Sequence, residues 1–166
     1  MTSETDDRQL WAALVSAEQE RARRRVDFYR DARSRAEMLG QALNGSAWDR
    51  GTALDFLRAL PDDVPTLLDR LVDHALTHTW ALEARQAIAQ APREQIQPQL
   101  RSIVAALLPA AEDDEYRRLA ELLVHLEHWS TLHELVQQAM THDDPDIREV
   151  GEDFTEWYSP MWVRQA

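Results

Sequence analysis

LVDHALTH at residues 71–78 and LVQQAMTH at residues 135–142 are the two stretches on which the reading of the fold turns. Two further segments share their design, MLGQALNG at 38–45 and IVAALLPA at 103–110. The four begin 33, 32 and 32 residues apart. Each carries two large apolar residues, a mostly small or polar pair, then two more apolar residues. On a helix the first, second, fifth and sixth positions share one face. Trp48 and Trp80 are also 32 residues apart, each opening the helix that follows one of these segments. A period in the low thirties with two helices per unit signifies stacked hairpins, each burying its apolar face only against its neighbours.

The rest of the chain agrees with an all-helical protein. Only four glycines occur, prolines sit mainly at segment edges, and no alternating Val/Ile/Thr run is long enough for a strand. The punctuation predicts helices over 47–60, 63–77, 79–91, 97–108, 113–128, 130–142 and 144–158. Pro65, Pro98 and Pro145 are placed near first turns, where a missing N–H is harmless. Ser130 and Asp143 or Asp144 are the expected N-caps. From Arg8 to Leu39 there is neither glycine nor proline, so one long helix or two collinear ones can form. Leu10, Trp11, Leu14 and Val15 make one apolar stripe there, and Val26, Phe28, Tyr29, Ala32, Met38 and Leu39 another. Between them, Ser16 to Arg25 has no large apolar side chain and must face water or hold itself up by charge pairs; Glu20/Arg24, Arg23/Asp27 and Asp31/Arg35 sit four residues apart. Asn44-Gly45 supplies a stop. The expected organisation is a single domain: residues 1–45 form a long N-terminal helix or helix pair, packing on or projecting from helical repeats over 46–166.

At 166 residues the chain can bury a continuous core, and 44% apolar residues argue against disorder. There is no cysteine, which removes disulfides, thiolate metal sites and cysteine nucleophiles. No stretch approaches eighteen apolar residues and no cationic start precedes an apolar run, so a cytoplasmic protein without a membrane span is expected. All eighteen basic residues are arginine, a usage that suits a GC-rich bacterial genome. The net charge of −12 comes entirely from residues 46–166, with ten arginines against twenty-two carboxylates. Within 111–156, fourteen carboxylates face only Arg117, Arg118 and Arg148. Such a field repels phosphate backbones and attracts cationic surfaces, so no nucleic-acid partner is expected.

LVQQAMTHDDPDIREVGEDF, residues 135–154, resembles a HEAT repeat junction: a second helix, an Asp-Pro turn, then a first helix with an apolar-Arg pair. The marks are Asp143, Asp144, Pro145, Ile147 and Arg148. The resemblance extends more loosely over about 46–158 and does not reach residues 1–30. Residues 78–85 lack the Asp-Pro turn, and 109–118 has a longer connection. The family likeness implies an α-α superhelix of HEAT-like hairpin repeats, with Arg148 and the turn aspartates forming a structural ladder. It further implies that the second helices line a concave surface. By the repeat register that groove would present Glu37, Gln41, Asp69, Arg70, Asp73, His74, Arg101, His133, Glu134, Gln137 and Gln138 to a partner, a mixed polar strip rather than an apolar small-molecule pocket.

Signs of chemistry are few. His74 and His78, and His125 and His128, have spacings that could pair imidazoles, but they lie in different repeats and no HExxH occurs. Glu112 to Glu115 and Asp143, Asp144 and Asp146 are explained by helix N-termini, which favour carboxylates. Neither nucleophile elbow, phosphate loop nor dinucleotide fingerprint is present. No catalytic residue, metal or cofactor is therefore assigned. Capping does not account for Glu149, Glu152, Asp153 and Glu156, which repel one another along the last helix. They serve either solubility or a cationic partner. Trp48, Trp80 and Trp129 are expected in the core. Trp157, Tyr158 and Trp162 either close the end of the stack or form an aromatic anchor beside the acidic face. The expected function is a non-catalytic protein-binding module, with an immunity protein neutralising a cationic toxin as the leading reading. The alternative is an adaptor or regulatory subunit that self-associates, as a homodimer, through the N-terminal helix.

Overall fold

The computed structural model describes residues 2–163, with side chains over 6–162. These residues form α1 (Thr2–Asp31), α2 (Arg35–Leu43), α3 (Ala47–Ala59), α4 (Leu68–Ala75), α5 (Ala81–Ala89), α6 (Arg93–Leu107), α7 (Asp113–His125), α8 (Trp129–Met140) and α9 (Pro145–Val163). Among the described residues there is no strand, and no helix is long and apolar enough to cross a membrane. Alternate helices pack on one another: α3 on α5, α5 on α7 and α7 on α9. On the other side α2 meets the 3₁₀ turn Pro65–Leu67 that leads into α4, and α4 meets α6. Two layers of helices thus enclose one core reaching from Phe28 to Trp162.

The apolar doublets supply that core. Their second positions, Leu39, Val72, Val104 and Val136, are buried in all four segments. First positions depend on place: Leu71 and Leu135 are buried, Ile103 is half-buried, and Met38, in the first segment, is 49% exposed. Polar contacts keep the same register. Arg85 of α5 donates to Glu121 of α7 at 3.1 Å, and Arg117 of α7 donates to Asp153 of α9 at 2.9 Å, so both partners advance by one 32-residue period. Arg50 donates to the Leu43 and Gly45 carbonyls at 2.7 and 3.2 Å, and Arg148 to those of His142 and Asp143 at 2.7 and 2.8 Å. Each guanidinium satisfies carbonyls that a helix end leaves free.

Several boundaries differ from expectation, each for a local reason. The long amino-terminal stretch breaks at 32–34, and Arg35 leaves Asp31 to pair with Asp63 while lying over the Tyr29 ring. Arg23 bonds Glu20 rather than Asp27, and Glu20 also accepts from Arg24 at 2.8 Å. The helix predicted over 63–77 starts as two 3₁₀ turns, because Pro61 and Pro65 each initiate a separate turn. Pro98 lies inside α6, which begins at Arg93. The residue before α8 is His128, not Ser130; its Nδ1 meets the Thr131 hydroxyl at 3.1 Å. Asp144 does cap α9, its carboxylate accepting from the Asp146 N–H at 2.9 Å. Trp48 is a clear departure: 88% exposed, it is not a core residue.

Candidate functional site

The residues expected to line a groove all lie on α2, α4, α6 and α8, and they divide by what they touch. Arg70 is a positioning residue: its Nη1 donates to the Gly40 carbonyl at 2.6 Å, joining α4 to α2. A Cβ on Gly40 would come within 2.9 Å of that guanidinium, so a larger residue there would push the Arg70 side chain aside. Arg101 of α6 pairs with Glu134 of α8 at 2.7 Å, and His133 packs at 5.1 Å against Trp162. These four side chains hold helices together. Glu37, Gln41, Asp69, Asp73, Gln137 and Gln138 are exposed. Burial raises the carboxyl pKa of Asp73, with Asp69 adding to the shift and His74 opposing it. His74, half-buried, is pushed down by burial and by the Arg50 cation. The exposed part of the strip not engaged between helices is therefore polar, three carboxylates among three amides.

On α9, Glu149, Glu152 and Glu156 follow one another at three- and four-residue steps and are exposed, so they share a face. Asp153 does not belong with them, since it is turned to Arg117 of α7. The terminal aromatics split in the same way. Tyr158 stacks on Trp129 at 6.1 Å and, like Trp162, packs against the core, closing that end. Trp157 is 54% exposed beside Phe154 and flanks the three glutamates.

The histidine spacings do not produce a site. His78 lies beyond the end of α4, where Arg118 meets its Nε2, and His128 lies beyond the end of α7. Among the described residues no three His, Asp or Glu side chains are grouped as metal ligands.

Sequence reasoning missed a large concavity. A groove of about 860 Å³ opens between α1, α2 and α3, walled by Arg21, Arg25 and Phe28, by Met38 and Ala42, and by Trp48, Thr52 and Phe56. The far end of α1 is well anchored. Phe28 packs edge-on against Phe56 at 5.3 Å, Tyr29 bonds Asp62, and Arg21 and Arg25 both reach Asp55. Toward the start of α3 the anchoring ceases, and Leu10, Trp11 and Leu14 of α1 stand in solvent, Trp11 being 67% exposed. The 32-residue register marks Trp48 and Trp80 as equivalent positions but not their difference in burial. Trp80 covers α3 at Gly51, where a Cβ would meet its ring at 3.5 Å. Trp48 has the equivalent place toward α1, and no side chain of α1 closes on it. Comparison with protein-family models, with curated proteins and with solved structures finds no match for this chain.

Proposed function

We propose that this chain is a HEAT-like α-α superhelix acting as a non-catalytic protein-binding module for a partner with a cationic surface, in the manner of an immunity protein that neutralises a toxin. One observation supports this above others: most of the arginines are already engaged by carboxylates or carbonyls of the fold, while a set of exposed carboxylates is not. Arg21, Arg25 and Arg58 converge on Asp55, and Arg35, Arg85 and Arg117 pair with Asp63, Glu121 and Asp153. Arg50, Arg70, Arg118 and Arg148 are held on backbone carbonyls. Among the described residues, Asp69, Asp73, Glu83, Glu94, Glu149, Glu152 and Glu156 have no cationic partner. A partner therefore meets a net negative field, with most of the cations already engaged in pairs. Such a field accelerates encounter with a basic protein and is screened by salt.

The test is binding to the protein encoded by the adjacent gene, measured at low and at several-fold higher salt. The wild-type chain is expected to bind more weakly as salt rises. Two charge-reversal sets locate the face: E149R/E152R/E156R on α9 and D69R/D73R on α4. One of them should slow association by about tenfold or more, since outer charges act chiefly on the on-rate. Absence of binding, or binding indifferent to salt and to both sets, overturns the proposal.

A further inference from the structure

We infer that the chain forms a two-fold dimer in which α1 pairs antiparallel with α1 of a second copy. The Leu10, Trp11 and Leu14 segment of each then fills the groove beside Trp48 of the other. Three observations meet in this arrangement. The first is the groove itself. In the succession α1, α3, α5, the junction between α3 and α5 is closed by Trp80 on Gly51, whereas that between α1 and α3 stays open around Trp48. A concavity of about 860 Å³ walled by Phe28, Met38 and Phe56 lacks the apolar side chains that would complete it.

The second is the stripe that could supply them. Leu10, Trp11 and Leu14 lie seven or fourteen residues before Arg24, Arg25, Arg21 and Phe28, which wall the groove. At 3.6 residues per turn all of them fall on one face of α1. Trp11 and Phe28 are 17 residues apart, about 25 Å along the helix. An antiparallel pair that sets Trp11 against Phe28 of the other chain has its axis between Gln19 and Glu20. Ala17 then faces Ala22 at the crossing, where the backbones must come closest, and the contact is isologous: what each chain gives it also receives.

The third is charge, which selects the second copy and its direction. Residues 2–20 of α1 carry five carboxylates and one arginine, whereas residues 21–31 carry five arginines and two aspartates. Antiparallel pairing lays each acidic half along the other chain's basic half and brings Glu18 to Arg21. Parallel pairing would oppose like charges over the whole length, at a cost in energy. The partner is thus complementary in sign, shape and apolar content to a surface that this chain itself carries. It does not use the acidic α9 face, so a dimer and a bound cationic protein are compatible.

Sedimentation equilibrium of the full chain across a concentration series tests this, together with tryptophan emission. The expected particle is twice 19.2 kDa at high concentration, with emission shifting to the blue as Trp11 and Trp48 leave water. Two variants separate the halves of the contact: L10S/W11S/L14S removes the stripe and W48S opens the groove. Both sites are solvent-exposed in the single chain, so the helical content should stay unchanged, as should the unfolding midpoint at concentrations too low for the wild type to dimerise. The stripe variant is expected to raise the dissociation constant about 100-fold or more, as loss of a central aromatic contact does. Mixed together, the two variants should form a heterodimer more readily than either forms a homodimer, because one intact stripe then meets one intact groove. A wild-type chain that is monomeric at every concentration overturns the inference. So does a dimer that both variants leave intact, or a mixture that shows no preference for heterodimers.

Discussion

Glu127 holds a backbone φ of 53°, the one positive value outside glycine among the described residues. It follows the last turn of α7 as the left-handed residue of a Schellman ending. The His128 N–H bonds the Leu123 carbonyl at 2.8 Å, and the Glu127 N–H bonds that of Val124 at 3.0 Å. A side chain in that conformation is strained, whereas glycine is not. The only compensation is an exposed contact with Arg93 at 3.7 Å, which contributes little. E127G is accordingly expected to stabilise the protein by about 0.5–1 kcal/mol, read as a higher urea midpoint at unchanged slope. A lower midpoint would mean that the Arg93 contact outweighs the backbone relief. Single residues were legible only where their chemistry is local. Asp144, whose carboxylate accepts from the Asp146 N–H at 2.9 Å, follows from cap chemistry alone. Glu127, an ordinary helix former by composition, offered no such sign.

At the scale of elements, the 32-residue register proved readable because burial at its second position is set by immediate neighbours, which every segment possesses. Burial at Trp48 is set by how closely α1 approaches, and no pattern within α3 encodes that distance. Pro98 shows the same limit from the other side. Its position suggested a first turn, but α6 starts earlier, at Arg93, so the proline ring leaves the Glu94 carbonyl without its usual i+4 donor. Pro98 is exposed and carries no packing role. P98A should therefore stabilise the protein by about 1–3 kcal/mol. Circular dichroism and the thermal midpoint would check this, and a fall in midpoint would show that the proline shapes α6 usefully. The docking of α1 rests on Phe28 against Phe56 and on the arginines gathered at Asp55. F28A is expected to remove about 1–3 kcal/mol of local stability. Amide exchange should quicken over residues 21–31 while α7 and α8 keep their protection. Uniform loss of protection across all helices would show instead that α1 is integral to the core.

Across the whole molecule, an excess of carboxylates over arginines, a net charge of −12, gives the chain its acidic character, and burial of imidazoles gives it a response to acid. His74, His125 and His128 all have their pKa lowered, with burial the first cause in each and Arg50, Arg85 and Arg93 respectively adding to it. His128 is the most enclosed, and its Nε2 has no hydrogen-bond partner. In the unfolded chain these rings take up protons near pH 6.5, while in the folded chain they resist until lower pH. Above about pH 7 both states are neutral and stability is complete. As pH falls through 6.5 the unfolded state binds more protons than the native one, and stability declines until the folded-state values are reached. The decline begins well above the carboxylate range near 4, so the two are separable. Urea midpoints taken from pH 8 down to pH 5.5 should fall steadily below pH 7. H128Q, which keeps a polar group beside Thr131 but cannot charge, should make that fall shallower. An unchanged slope in H128Q would assign the acid response to His74 and His125, and no slope at all would mean that none of the three imidazoles resists protonation in the folded chain.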